Sequence, residues 1–72
     1  MNDEDFLRKI GKNIIRIRQS KGLKQIDLAT MLDMEDSSLR RIEKGRVNSS
    51  VLMLKRISDA LEVDIMQLLT ES

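Results

Sequence analysis

Two short runs decide how this chain is read: Leu23-Lys24-Gln25-Ile26-Asp27-Leu28-Ala29 and Leu39-Arg40-Arg41-Ile42-Glu43-Lys44-Gly45. Each spaces its apolar side chains as a helix with one buried face does. The first predicts a helix over 25–32, with Ile26, Leu28, Ala29 and Leu32 as its apolar set. The second predicts a helix over 36–44, with Leu39 and Ile42 inward and Gly45 as a left-handed stop. Ala29 belongs where the two helices cross, because a larger side chain there would push them apart.

The rest of the chain supplies three more helices. Phe6, Leu7, Ile10, Ile14 and Ile17 recur at helical spacing, so a first helix is expected over 5–20, stopped by Gly22. Gly11 lies inside it, where glycine costs about 1 kcal/mol against alanine. Such a residue is expected where a neighbouring helix comes close. Val51, Leu54, Ile57 and Leu61 form the stripe of a fourth helix over 50–61. Ile65, Leu68 and Leu69 complete a last turn and a half over 64–69, with Asp64 placed to cap it. There is no proline, no strand-like alternation and no internal repeat, so the chain is expected to be all-α, one domain over 1–72.

Composition removes several classes of function. With 72 residues, no cysteine and no histidine, the chain lacks disulfides, thiolates, the commonest metal ligand and the commonest general base. No glycine-rich loop is present, and little room remains for a pocket that excludes water. No enzyme, metal site, cofactor or small-molecule ligand is therefore expected. The acidic start, Met1-Asn2-Asp3-Glu4-Asp5, is unlike a secretion signal, and no long apolar run follows. A cytoplasmic protein with no membrane partner is the expectation.

Net charge is only +1, but its distribution along the chain is uneven. Residues 6–24 carry Arg8, Lys9, Lys12, Arg16, Arg18, Lys21 and Lys24 without an acid. Residues 40–56 carry Arg40, Arg41, Lys44, Arg46, Lys55 and Arg56 against Glu43 alone. The last sixteen residues have no base and four acids, Asp59, Glu62, Asp64 and Glu71. A phosphate-facing surface with an anionic back would have this pattern.

Taken in order, Gln25 opening one short helix, Ala29 within it, and Ile42-Glu43-Lys44-Gly45 closing the next resemble the phage-repressor helix-turn-helix family of Cro and Xre type. The resemblance extends through residues 14–22 before the motif (about 25–44) and through Ile57, Ala60, Leu61 and Val63 after it. It implies a compact five-helix bundle of the lambda-repressor-like DNA-binding type. It also implies that the helix over 36–44 enters the major groove of double-stranded DNA. Asp36, Ser37 and Arg41 then match base-contacting positions, with Arg40 a further basic candidate. Arg41 leads, because a guanidinium can donate two bonds to guanine O6 and N7. Gln25 matches the family glutamine that holds a phosphate beside a helix N-terminus. Lys24, Ser38, Lys44, Arg46 and Asn48 are further phosphate candidates. Arg18 and Glu43 match a structural ion pair between the first and third helices.

Four departures from the family pattern stand out. Asp33 and Glu62 occupy turns where the family prefers glycine, and Ser49 replaces a customary proline. Glu35-Asp36 puts two acids at the start of the groove-reading helix, where they suit the helix dipole but would repel phosphates. Asp36 or Glu35 is expected to cap the helix, and for Asp36 that role is favoured over a bond accepted from cytosine N4. Helix four also carries surplus apolar residues. Leu52, Met53 and Met66, with Ile65 or Leu69, are candidates for a homodimer contact that sets two reading helices one DNA turn apart on a near-palindromic operator. The expected function is sequence-specific double-stranded DNA binding by a small transcriptional regulator, a repressor or autoregulator acting as a dimer. The alternative is a helical protein-interaction module, antitoxin-like or adaptor-like, with weak or no DNA binding.

Overall fold

The computed structural model describes residues 1–70. Five helices follow in order: α1 (Asp3–Ser20), α2 (Gln25–Met31), α3 (Asp36–Glu43), α4 (Val51–Leu61) and α5 (Met66–Leu69). No strand occurs among the described residues. Helix α1 is the spine, packing on both α3 and α5, while α2 packs chiefly on α3. It begins two residues before the periodicity predicts, because Asn2 caps it by accepting from the Asp5 amide at 2.8 Å. Ser50 caps α4 in the same way, accepting from the Met53 amide at 3.0 Å. Asp64, expected to cap the last helix, lies one residue too early: Ile65 holds the N-cap without a side-chain capping bond, and the Asp64 carboxylate instead accepts from the Met66 amide at 2.8 Å in the turn before α5.

One device ends the first four helices. Each is followed by a left-handed residue (Gly22, Asp33, Gly45 and Glu62), and the next amide reaches back to a carbonyl five residues earlier. The bonds are Leu23 to Arg18, Met34 to Ala29, Arg46 to Arg41 and Val63 to Ser58. This is the Schellman arrangement, in which a following apolar residue folds back on its helix. Leu23, Met34 and Val63 fill that place and pack against the core. Glycine suits two of the four turns, but Glu62 holds φ 59° with a full side chain. A left-handed L-residue costs about 1–2 kcal/mol, and glycine's extra freedom in the unfolded chain cancels about 0.4–1 of the relief. Glu62→Gly is therefore expected to stabilise the domain by about 0.5–1 kcal/mol, read as a later urea midpoint with an unchanged slope. Asp33→Gly gains less, because aspartate tolerates this region better.

The core is assembled from every helix: Ile14, Leu28, Leu39, Ile57, Leu61 and Leu68 are essentially inaccessible. Ala29 is fully buried, as the crossing of α2 and α3 requires. Gly11 is buried too, and a Cβ placed there would lie 2.1 Å from the Glu43 carbonyl oxygen. The close approach expected of a mid-helix glycine is thus the C-terminal end of α3 resting on α1.

Three apolar positions depart from expectation. Ile26 is 52% exposed, because α2 has only seven residues and buries one face through Leu28, Ala29 and Leu32. Val51 is 76% exposed at the first residue of α4, and Phe6 is 41% exposed in the early turns of α1. Phe6 and Val51 instead face a shallow apolar groove that Leu7, Val47, Leu54, Ile65 and Leu69 also line.

Two polar side chains make bonds to helix ends that were not anticipated. Asn13 is buried on the apolar face of α1 and donates to the carbonyls of Leu68 at 2.9 Å and Thr70 at 2.8 Å. It ties the end of α5 to the spine, satisfying carbonyls that a helix end leaves open. Arg56, counted in sequence with the cationic middle, donates to the Leu32 carbonyl at 3.0 Å and closes the end of α2.

Candidate nucleic-acid interface

Helix α3 has two faces of opposite character. Leu39, Ile42 and Glu43 are buried, and at helical spacing Ser37, Arg41 and Lys44 stand on the opposite side, all exposed. Ser38 and Arg40 are exposed on the flanks, while Asp36 is half-buried. The following loop adds Arg46 and Asn48, both exposed. The side chains of Arg41, Lys44 and Arg46 make no hydrogen bond or ion pair with the described residues, leaving three cations ready for an external partner. The structure therefore groups most of the predicted base and phosphate candidates on one surface around α3.

A buried polar joint fixes that surface. The Arg18 guanidinium grips the Glu43 carboxylate at two points, Nε to Oε2 at 2.8 Å and Nη2 to Oε1 at 3.1 Å. The two side chains are 9% and 2% exposed. Arg18 also donates through Nη1 to the Leu23 carbonyl at 3.1 Å. The pair expected from sequence is present, and it locks the end of α3 onto α1 beside Gly11.

Sequence reasoning did not anticipate the third member. Gln25 Nε2 donates to Glu43 Oε1 at 2.8 Å, so the head of α2 is keyed to the end of α3. Gln25 was expected to serve phosphate; here its amide nitrogen is engaged inside the protein, with only partial exposure. Nothing in the spacing of Gln25 and Glu43 pointed to this bond, which forms across eighteen residues of sequence. Lys24 heads α2 with its amide donating to Asp27 Oδ2 at 2.8 Å, half of a capping box.

The acidic start of α3 corrects one expectation. Glu35, not Asp36, occupies the N-cap, and its side chain makes no capping bond. Asp36 is already inside the helix, where its carboxylate meets Arg40 Nη2 at 3.5 Å, one turn on. The physical reason is positional, since a capping side chain must belong to the extended residue before the helix, and Glu35 has that conformation. A glutamate side chain is a poor cap there, so the favourable term left to both acids is the helix dipole.

The dimer candidates divide. Leu52 and Met66 are 65% and 54% exposed, whereas Met53, Ile65 and Leu69 pack in part against the protein's own core. A second groove, between the start of α1 and the end of α3, is lined by Arg8, Lys12, Lys44 and Arg46 among others. Arg8 is engaged there by Glu4 and Asp5. The described residues contain no cluster of metal-ligating side chains, and no helix among them is long and apolar enough to cross a membrane.

Comparison with known proteins gives a consistent answer. The profile of a helix-turn-helix family, HTH_3, matches residues 14–68. The chain is 32% identical over 66 residues to y4dJ of Sinorhizobium fredii, an uncharacterized HTH-type transcriptional regulator, covering 92% of this chain and 86% of that one. The structure is similar to that of C.AhdI of Aeromonas hydrophila, a restriction-modification controller protein. That match has 29% identity and a TM-score of 0.82 over 86% of this chain and 94% of the other. A hypothetical transcription factor of Neisseria, NHTF, shares the fold at 24% identity, with a TM-score of 0.87 over 97% of this chain and 80% of its own. These relatives are named as regulators, not as enzymes. With its paired short helices α2 and α3, its buried Arg18–Glu43 joint and a family match over most of its length, the chain belongs to the HTH_3 family of Cro- and Xre-type helix-turn-helix proteins.

Proposed function

We propose that the chain is a small transcriptional regulator that binds double-stranded DNA in a sequence-specific way through α3. The observation that carries this reading is the outward face of α3, where Ser37, Arg41 and Lys44 are exposed and the two cations have no partner among the described residues. A major groove admits one helix, and that face offers a guanidinium for a guanine edge with lysine beside it for phosphate. Arg46, Asn48 and Ser38 extend the phosphate track, with Lys24 and Gln25 at the head of α2 on its other side. The buried joint at Glu43 presents this face as a rigid unit, which lowers the entropy lost on binding.

Two copies would act together on a near-palindromic operator, as a repressor or autoregulator in the cytoplasm. Leu52 and Met66, exposed on α4 and α5, support an isologous contact between copies, with Met53, Ile65 and Leu69 behind them. Such a dimer spaces half-sites about 34 Å apart.

Fluorescence anisotropy on a duplex carrying a selected site, over a range of salt, tests the proposal. Log affinity is expected to fall with log salt at about −0.9 per phosphate engaged. Arg41→Ala is expected to weaken the specific site about tenfold to hundredfold while nonspecific binding changes little, a discrimination of about 1–3 kcal/mol. Binding to no duplex at low salt, or equal loss on every duplex for Arg41→Ala, would contradict it. A protein-interaction role is favoured by one observation, the acids Glu35 and Asp36 at the entry of α3. Absence of any DNA binding would leave that reading in its place.

A further inference from the structure

The two arginines on the outer part of α3 are not equivalent. Arg41 has no carboxylate partner among the described residues, whereas Arg40 Nη2 lies 3.5 Å from Asp36 Oδ2. Asp36 precedes Arg40 by four residues, the favourable order for such a pair on a helix. Both side chains are about half exposed, at 47% and 48%. The other Asp36 oxygen, Oδ1, accepts no hydrogen bond from the described residues. Arg40 thus lies beside one oxygen of the carboxylate and leaves the other open, in the first turn of the helix that the proposed function places in the groove.

An ionised carboxylate only accepts hydrogen bonds. In a major groove it can be met by an exocyclic amino group, cytosine N4 or adenine N6, and it is repelled by N7, O6, O4 and phosphate oxygens. A site offering the amino group satisfies Oδ1. A pair turned to place guanine or thymine there leaves a desolvated carboxylate facing acceptors. Discrimination commonly relies on such a repulsive element as well as an attractive one. Arg41, a donor, selects for guanine acceptors, whereas the acceptor-only carboxylate selects against them.

We propose that Asp36 and Arg40 form one specificity-determining unit, in which Arg40 positions the Asp36 carboxylate to accept from the exocyclic amino group of cytosine or adenine on the strand it faces and to reject guanine or thymine there. This rests on the DNA-binding reading above. It assigns Arg40 a positioning role in place of an independent base contact. It also makes the acidic entry of α3 a filter rather than a defect.

The test is selection from a random duplex pool by the full chain, run in parallel with Asp36→Asn, Arg40→Gln and the double variant. Circular dichroism melts confirm that each is folded. Wild type is expected to enrich one half-site position for cytosine or adenine, and the enriched base identifies which amino group is read. Asp36→Asn is expected to relax that position or move it towards adenine, which asparagine pairs through N6 and N7. It is also expected to bind nonspecific duplex severalfold more tightly, with a salt slope steeper by about 0.9 as Arg40 becomes free for phosphate. Arg40→Gln is expected to blur the same position, and the double variant to match Asp36→Asn there, as a coupled pair requires. Enrichment of cytosine by wild type with an unchanged position in Asp36→Asn overturns this proposal alone. So does Arg40→Gln altering a different position, or none. No enrichment by any of the four proteins overturns it together with the DNA-binding reading.

Discussion

Glu43→Ala is expected to destabilise the protein by about 3–5 kcal/mol, most of the stability that a domain of this size possesses. The carboxylate is 2% exposed and receives three hydrogen bonds, two from Arg18 and one from Gln25. Removing it leaves the Arg18 guanidinium buried beside apolar side chains with the Leu23 carbonyl as its remaining acceptor. An uncompensated buried charge is costlier than the pair was worth, so the loss exceeds that of an exposed bridge several times over. Urea unfolding followed by circular dichroism measures it. A change below about 1 kcal/mol would mean that the joint is solvated and does not anchor α3. Replacing both partners, Arg18→Met with Glu43→Leu, separates the two contributions: recovery of most of the loss assigns it to the unpaired charge.

Gly11→Ala has the second largest expected effect, and two terms oppose each other. Alanine gains about 1 kcal/mol of helix propensity over glycine. Its Cβ would stand 2.1 Å from the Glu43 carbonyl oxygen, 2.6 Å from the carbonyl carbon and 2.9 Å from the Ile42 oxygen. All three are backbone atoms, which cannot swing aside as a side chain can. The helices must part, disturbing the Arg18–Glu43 geometry beside them, and the clash outweighs the propensity. A net loss of about 2–3 kcal/mol is expected, lowering the melting temperature by roughly 10–20 °C. DNA affinity should fall even where the variant is folded, because α3 is displaced from its seat. An unchanged or raised melting temperature would contradict the close packing.

These two sites mark what the sequence discloses and where it stops. Gly11 was legible because a glycine inside an apolar helical repeat needs a steric reason, and α3 supplies it. Arg18 and Glu43 were legible through the family resemblance; no spacing rule links residues twenty-five positions apart. Gln25 was placed correctly at the head of α2, but its bond to Glu43 depends on how α2 meets α3, which periodicity does not encode. Asn13 carried a signal in principle, a polar residue within the Ile10, Ile14 and Ile17 face. The carbonyls it satisfies become visible only once α5 is docked.

The stripes of the longer helices were read well, while Ile26 and Val51 were placed inward and lie outside. Both sit on a short helix or at a helix start, where a side chain at helical spacing meets no neighbour. The left-handed turns at Asp33 and Glu62 were inferred from the family's glycines, and the backbone adopts them at φ 54° and 59°. The same fold is thus held together at two places by residues that fit those turns less well than glycine does. The acids at the start of α3 were noticed as a departure, yet their division into an uncapped Glu35 and an Arg40-bound Asp36 required the structure.

The central claim is that α3 reads a major groove with Arg41 on a guanine edge. Methylation interference on a selected site tests it most directly, because a methyl group on guanine N7 blocks the acceptor that the guanidinium uses. N7 methylation of one guanine per half-site is expected to abolish wild-type binding, and Arg41→Ala to become indifferent to that guanine. Interference confined to adenine N3 in the minor groove, or the same guanine pattern in Arg41→Ala as in wild type, would contradict it.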